Sequence, residues 1–196
     1  MERSEQPSQR GFNTAGQVVV VWFSNDMRFE VLPAFLNTSD TYTYPYSHSG
    51  GQWKTSDPLA DNAAIKATDA AYNYNLKWLC RMARAWRREW NVAIGGLLID
   101  TLANSFIQNW EYWNNSYLYY DWISRDFFDY LANQNTSQEY WIAPASRQYV
   151  YRKGNFEYKA RQCCNLAIEA IEYARKEMTY SARQTWRKIY GTAYPS

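Results

Sequence analysis

One carboxylate stands in an apolar setting. Glu30 sits in the run Phe29-Glu30-Val31-Leu32, and a charge inside an apolar strand needs an ion-pair partner, a metal or a cleft. Two chemistries are open to it. It can help hold a hard divalent ion, for which carboxylate oxygens are the natural ligands. It can also pair with Arg28 or with a basic residue from elsewhere in the chain. The second constellation is Lys77, Arg81, Arg84 and Arg88, with no acid between them before Glu89. Spacings of three and four align these cations on one helix face. Such a stripe is either a solvated charged face or a phosphate-binding one. The third is Gly95-Gly96 at a helix start. Glycines there permit close backbone approach, and the free N–H groups suit an anion. No lysine follows in Walker spacing, so the pair alone does not specify a phosphate loop.

Other reactive side chains argue for little. The single histidine, His48, lies in a stretch rich in Gly, Ser and Tyr, and general-base work needs a partner that the sequence does not identify. The 3 cysteines are Cys80 and the adjacent Cys163 and Cys164. They fit neither a zinc spacing nor a disulfide framework, and read as free thiols packed in helices. The net charge of +2 neither favours nor excludes nucleic acid. The 10 Trp and 18 Tyr are unusual and suit interfaces as well as cores. No apolar run approaches the length of a membrane span, and the polar start lacks the apolar core of a signal peptide. The expectation is a cytoplasmic protein without membrane partners.

The elements that must position these residues fall into two styles, giving an α+β fold. Residues 1–16 read as a disordered lead-in. Residues 17–58 carry a hairpin: Val18 to Phe23 and Phe29 to Leu32 flank the polar turn Ser24-Asn25-Asp26, and Pro33 ends the pairing. Alternation sends Arg28, Glu30 and Leu32 to one face, and Phe29 and Val31 to the other. Tyr42-Thr43-Tyr44 suggests a further short strand, with loop around it. Residues 59–196 read as helical. A long helix extends from Asp57-Pro58 to about Trp90, burying Leu76, Leu79, Ala83 and Trp86. Further helices follow over 95–110, 119–131, 156–178 and 181–190. Residues 141–146 are extended or irregular around Pro144.

The order of these pieces resembles the cGAS/DncV-like nucleotidyltransferases (CD-NTases, or SMODS-type second-messenger synthases). The resemblance is carried by Phe29-Glu30-Val31-Leu32-Pro33-Ala34-Phe35, by Tyr44-Pro45 with Gly51-Gln52-Trp53 and Pro58, by Leu76-Lys77 through Arg84-Ala85-Trp86, and by Trp186-Arg187-Lys188-Ile189-Tyr190-Gly191. It implies a partial nucleotidyltransferase palm followed by a helical lobe, in enzymes that join NTPs into cyclic or linear oligonucleotide signals, often in anti-phage defence. It implies Mg²⁺ or Mn²⁺ held by three carboxylates, with Glu30 as the third. It also implies Lys77, Arg81 and Arg84 facing the triphosphate and Gly95 and Gly96 near the phosphate tail. The family's Gly-Ser and Asp-x-Asp do not occur in this sequence. The expectation is therefore the C-terminal portion of a synthase, inactive unless another chain supplies those motifs. A non-catalytic module binding nucleotide, nucleic acid or protein is the alternative. Removing half of a palm sheet would also leave an open strand edge prone to self-association.

Overall fold

The apolar run before the turn and the mixed run after it pair as antiparallel strands, β2 (Val18–Phe23) and β3 (Arg28–Val31), with Val20 opposite Glu30 and Trp22 opposite Arg28. The turn closes where the Phe23 N–H donates to the Met27 carbonyl at 2.9 Å. Alternation then separates two faces. Phe23 and Phe29 meet edge-on with ring centroids 5.5 Å apart. On the other face the Arg28 guanidinium lies 5.6 Å from the Trp22 ring centre.

The computed structural model describes residues 9–15 by their backbone, and residues 18–25, 27–47, 51–115 and 117–195 in full. It forms two compact units, Met1–Leu59 and Ala60–Ser196.

In the first unit the expected disordered lead-in is corrected over part of its length. β1 (Gln9–Ala15) pairs antiparallel with the free side of β2, giving the order β1-β2-β3. The physical reason is that β2 presents N–H and C=O groups on both edges, and ladder pairing satisfies them whatever side chains the partner carries. Residues 1–8, 16 and 17 lie outside the described residues. A second sheet, β4 (Phe35–Leu36), β5 (Tyr42–Tyr46) and β6 (Gln52–Ser56), occupies the segment expected to be mostly loop. Its first turn is tied by the Asn37 amide, which donates to the Thr41 and Thr43 hydroxyls at 2.9 and 3.0 Å. His48 lies outside the described residues.

The second unit holds most of α1 (Pro58–Ala71), then α2 (Asn75–Glu89), α3 (Gly96–Ile107), α4 (Tyr120–Ala132), α5 (Glu157–Arg175) and α6 (Thr179–Tyr190). A small hairpin, β7 (Tyr140–Ile142) and β8 (Tyr149–Tyr151), separates α4 from α5. The single long helix expected through Trp90 is two helices. Asn73 and Tyr74 take left-handed backbone angles, with φ of 53° and 58°. Long-range partners fix the break. The amides of Asn73 and Asn75 donate to the carbonyls of Asn115 and Trp113, at 3.1 and 2.8 Å respectively. The buried Asp69 carboxylate accepts the backbone N–H of Lys77 at 2.9 Å. Apolar periodicity continues from Tyr72 to Leu76 across the break, so sequence pattern alone does not reveal it.

The core is aromatic and aliphatic. Trp86, fully buried, meets Phe128 edge-on at 5.3 Å and donates its indole N–H to Cys163 Sγ at 3.2 Å. The same buried cluster includes Leu79 and Ala83 of α2, Leu98 and Leu102 of α3, Ala160 and Ala167 of α5, and Ile189 of α6. All three cysteines are free and buried. Burial pushes the Cys163 thiol up to about 12, and burial with Asp100 nearby raises Cys80 as well. Neither forms a ready thiolate nucleophile at neutral pH. The buried stripe of α5 stops at Ile171: Ala174 and Met178 are exposed. Among the described residues, no helix is long and apolar enough to cross a membrane.

One buried acid ties α1 to the β7–β8 hairpin. Asp61 accepts the N–H groups of Ala145 and Ser146 at 3.0 and 2.8 Å and the Ser146 hydroxyl at 2.6 Å. Asp61→Ala leaves these donors without their acceptor and is expected to cost about 3 kcal/mol. Urea denaturation should show a lower midpoint at unchanged slope.

Candidate functional site

Two cations flank the start of α3. Gly95 stands just before the helix in an extended conformation, and the first N–H groups of α3 have no partner within the helix. Arg84, on α2, places Nη2 2.7 Å from each carboxylate oxygen of Asp100, one turn into α3. Its Nη1 donates to the Cys80 carbonyl at 3.2 Å. A Cβ added to Gly96 would lie 4.0 Å from Arg84 Nη2, and one added to Gly95 would lie 3.4 Å from Lys153 Cε. Arg84 and Lys153 thus approach the same helix start from neighbouring glycines. Partial burial works against the Arg84 charge, but the hydrogen bonds and charge of Asp100 more than offset it and raise its pKa. Amides without a partner in the helix, the positive end of a helix dipole and adjacent side-chain cations suit an anion of the phosphate class.

The rest of the stripe serves other ends. Lys77 Nζ lies 3.1 Å from Asp69. Arg81 stacks over the half-exposed Trp78, its guanidinium carbon 4.6 Å from the ring centre. Arg88 is exposed in the last turn of α2 beside Arg87, where cations complement the helix dipole. The expectation of a stripe without counter-charges is therefore corrected at Lys77 and Arg84. Their acids come from α1 and α3, where spacing along α2 gives no sign of them. Lys77 and Arg84 also stand roughly 10 Å apart along the helix axis, seven residues at 1.5 Å each. Of the residues singled out by sequence in this unit, the fold brings Arg84, Gly95 and Gly96 together.

Glu30 belongs to the first unit. Its Oε1 is 2.5 Å from Arg28 Nη2, and both side chains are about half exposed, at 51% each. Its place in the strand is therefore compatible with charge because this face of β3 is open, and its partner is the ion pair weighed from sequence. Among the described residues no group of three or more His, Cys, Asp or Glu side chains is arranged to hold a metal ion. One carboxylate bonded to a guanidinium does not by itself make up the two-ion site implied by the resemblance. Sequence reasoning missed Asp69, Asp100 and Lys153. The one local signal for Lys153 is the glycine that follows it.

Residues 6–69 match the Second Messenger Oligonucleotide or Dinucleotide Synthetase domain, SMODS. A probable cyclic nucleotide synthase of Bacillus cereus (strain VD146) is 26% identical over 178 residues, covering 87% of this chain and 53% of that protein. The fold is similar to the Vibrio cholerae di-nucleotide cyclase DncV, in a structure of a mutant with ATP, GTP and 5MTHFGLU2. The TM-score is 0.70 at 12% identity, over 98% of this chain and 56% of that one. It is also similar to E. coli MS115-1 CdnC with ATP, with a TM-score of 0.66 at 17% identity, over 94% of this chain and 66% of that one. At these identities the two structures speak to fold alone. The chain spans about half the length of the curated relative, 53%.

Proposed function

We propose, from the match of residues 6–69 to the SMODS domain and the extended match to a probable cyclic nucleotide synthase, that the chain is the C-terminal part of a cGAS/DncV-like synthase joining NTPs into cyclic or linear oligonucleotide second messengers, of the kind used in bacterial anti-phage signalling. The observation that carries this reading is the extended match to a probable cyclic nucleotide synthase, over 87% of the chain. In this reading Arg84 and the amides at Gly96 and beyond take the triphosphate, while Lys77 and Arg81 contribute positive potential along α2. Glu30 is one carboxylate of a Mg²⁺ or Mn²⁺ site whose other ligands come from a chain carrying Gly-Ser and Asp-x-Asp, and it serves there only once Arg28 is displaced. A second reading, a non-catalytic nucleotide, nucleic-acid or protein-binding module, is favoured by the Arg28–Glu30 pair.

Labelled ATP and GTP separate the readings. The chain should bind ATP at low salt, with affinity falling as salt rises, and form no product alone in Mg²⁺ or Mn²⁺. Product should appear when a chain carrying the absent motifs is added. Absence of ATP binding would remove the nucleotide reading, product from this chain alone would remove the shared site, and no product with the second chain would favour the binding module. Phe29 and Val31 are exposed at 50% and 49%, and β3 is the last strand of its sheet among the described residues. We propose that a partner strand or second copy covers this edge; light scattering should show association.

A further inference from the structure

Lys153 is not among the residues named in the proposed function, yet the fold takes care over where it stands. It lies just past β8, and its neighbours on both sides are pinned. Arg152 donates to Glu157 Oε1 at 2.6 Å, to the Asn135 carbonyl at 2.8 Å and to the Gln138 carbonyl at 2.7 Å. Its guanidinium carbon also lies 5.2 and 5.0 Å from the ring centres of Trp141 and Phe156. On the other side, Gly154 sits so close to the segment entering α3 that a Cβ there would be 2.7 Å from Ala93 Cβ. Separations below 3.0 Å are essentially never seen for a real Cβ, so only glycine lets this loop dock unshifted. Docking lays the Lys153 stem across Gly95, with Cε and Cδ 3.4 and 3.8 Å from the position of a glycine Cβ.

The charges around α3 then differ in availability. Arg84 is engaged by Asp100 through Nη2 and by Cys80 through Nη1. Lys159 is spent on the carbonyls of Trp90 and Asn91, at 2.8 and 3.0 Å, near the end of α2. Lys153 is exposed and makes no ion pair among the described residues. An ammonium on a flexible stem has three rotatable donors and follows a phosphate tail, where a clamped guanidinium holds one position.

We propose that Lys153 is a phosphate-contacting residue for the nucleoside triphosphate, adding at the start of α3 a second cation beside Arg84, whose charge Asp100 partly offsets. This rests on the nucleotide reading above. The ligand class is a polyphosphate tail, whether part of ATP or free. A nucleoside monophosphate lacks the phosphates that this contact uses.

Isothermal titration of the full chain at low salt with ATP, AMP and inorganic tripolyphosphate tests it. Lys153→Ala should weaken ATP and tripolyphosphate by about tenfold, leave AMP unchanged and flatten the salt dependence. Lys153→Arg should restore most of the affinity. Lys66→Ala, which removes an exposed charge on α1, is the charge-matched control and should bind as the parent chain does. Parent-like tripolyphosphate binding by Lys153→Ala, or an equal loss at Lys66, overturns the assignment. If Arg84→Ala weakens binding while Lys153→Ala does not, only the Lys153 role fails. If the parent chain binds none of the three ligands, the nucleotide reading fails and this one with it.

Discussion

Arg84→Ala is expected to lower the chain's affinity for ATP by roughly 10- to 100-fold. A hydrogen bond to a charged group contributes about 1.5–3 kcal/mol, and each 1.4 kcal/mol is tenfold in binding. Two effects add. The substitution removes a guanidinium beside Gly96, and it leaves the Asp100 carboxylate, now without its cation, one turn from the helix start. A released carboxylate repels phosphate. The double variant Arg84→Ala/Asp100→Asn should therefore bind more tightly than Arg84→Ala alone, although it has lost the same cation. Folding is a small part of the result. The pair is partly exposed, with side-chain accessibilities of 41% and 25%, so solvent screens it to about 1 kcal/mol or less. Titration calorimetry at low and high salt, with circular dichroism as the fold check, reads both terms. An unchanged affinity removes Arg84 from the phosphate site. A double variant no tighter than the single one removes Asp100 from the ligand's surroundings.

What the sequence made legible is what local pattern controls. The β-branched and aromatic runs Val18 to Phe23 and Phe29 to Leu32 around a polar turn marked the hairpin, and alternation along the second run separated its faces, because these patterns are properties of neighbouring residues. The spacing of Leu76, Leu79, Ala83 and Trp86 identified the buried face of α2 for the same reason. What stayed hidden depends on partners far away in the chain. β1 is polar, and it is a strand because β2 has a second edge to satisfy. The break at Asn73 and Tyr74 is held by carbonyls around residue 114 and by Asp69. The cations of α2 looked uncompensated because Asp69 and Asp100 reach them from other helices. The candidate site was half visible. Arg84 and Gly95-Gly96 were readable as residue types in suggestive places, whereas Lys153 arrives through a docking contact between Gly154 and Ala93 that spacing does not encode.

That docking makes Arg152 the position where stability and the candidate site meet, and Arg152→Ala is expected to cost about 3–5 kcal/mol. Arg152 and Glu157 are deeply set, with side-chain accessibilities of 11% and 7%. Removing the arginine leaves Glu157 with the Phe156 N–H, at 2.9 Å, among its hydrogen bonds. It also strips the carbonyls of Asn135 and Gln138 of a donor and uncovers Trp141 and Phe156. For a chain of this length each kcal/mol shifts the midpoint by roughly 2–4 °C, so thermal unfolding should move down by roughly 6–20 °C. Arg152→Lys should recover little, since an ammonium cannot reproduce the planar fork that spans three acceptors. Arg152→Met/Glu157→Gln should be milder than Arg152→Ala, because most of the penalty comes from a buried carboxylate without its cation. Calorimetry of the three variants decides the matter: a loss under about 1 kcal/mol for Arg152→Ala would class the pair with exposed, screened ones. Held at a temperature where it is still folded, Arg152→Ala should also bind tripolyphosphate more weakly than the parent chain, because a loosened residue 152 no longer braces Lys153 over Gly95.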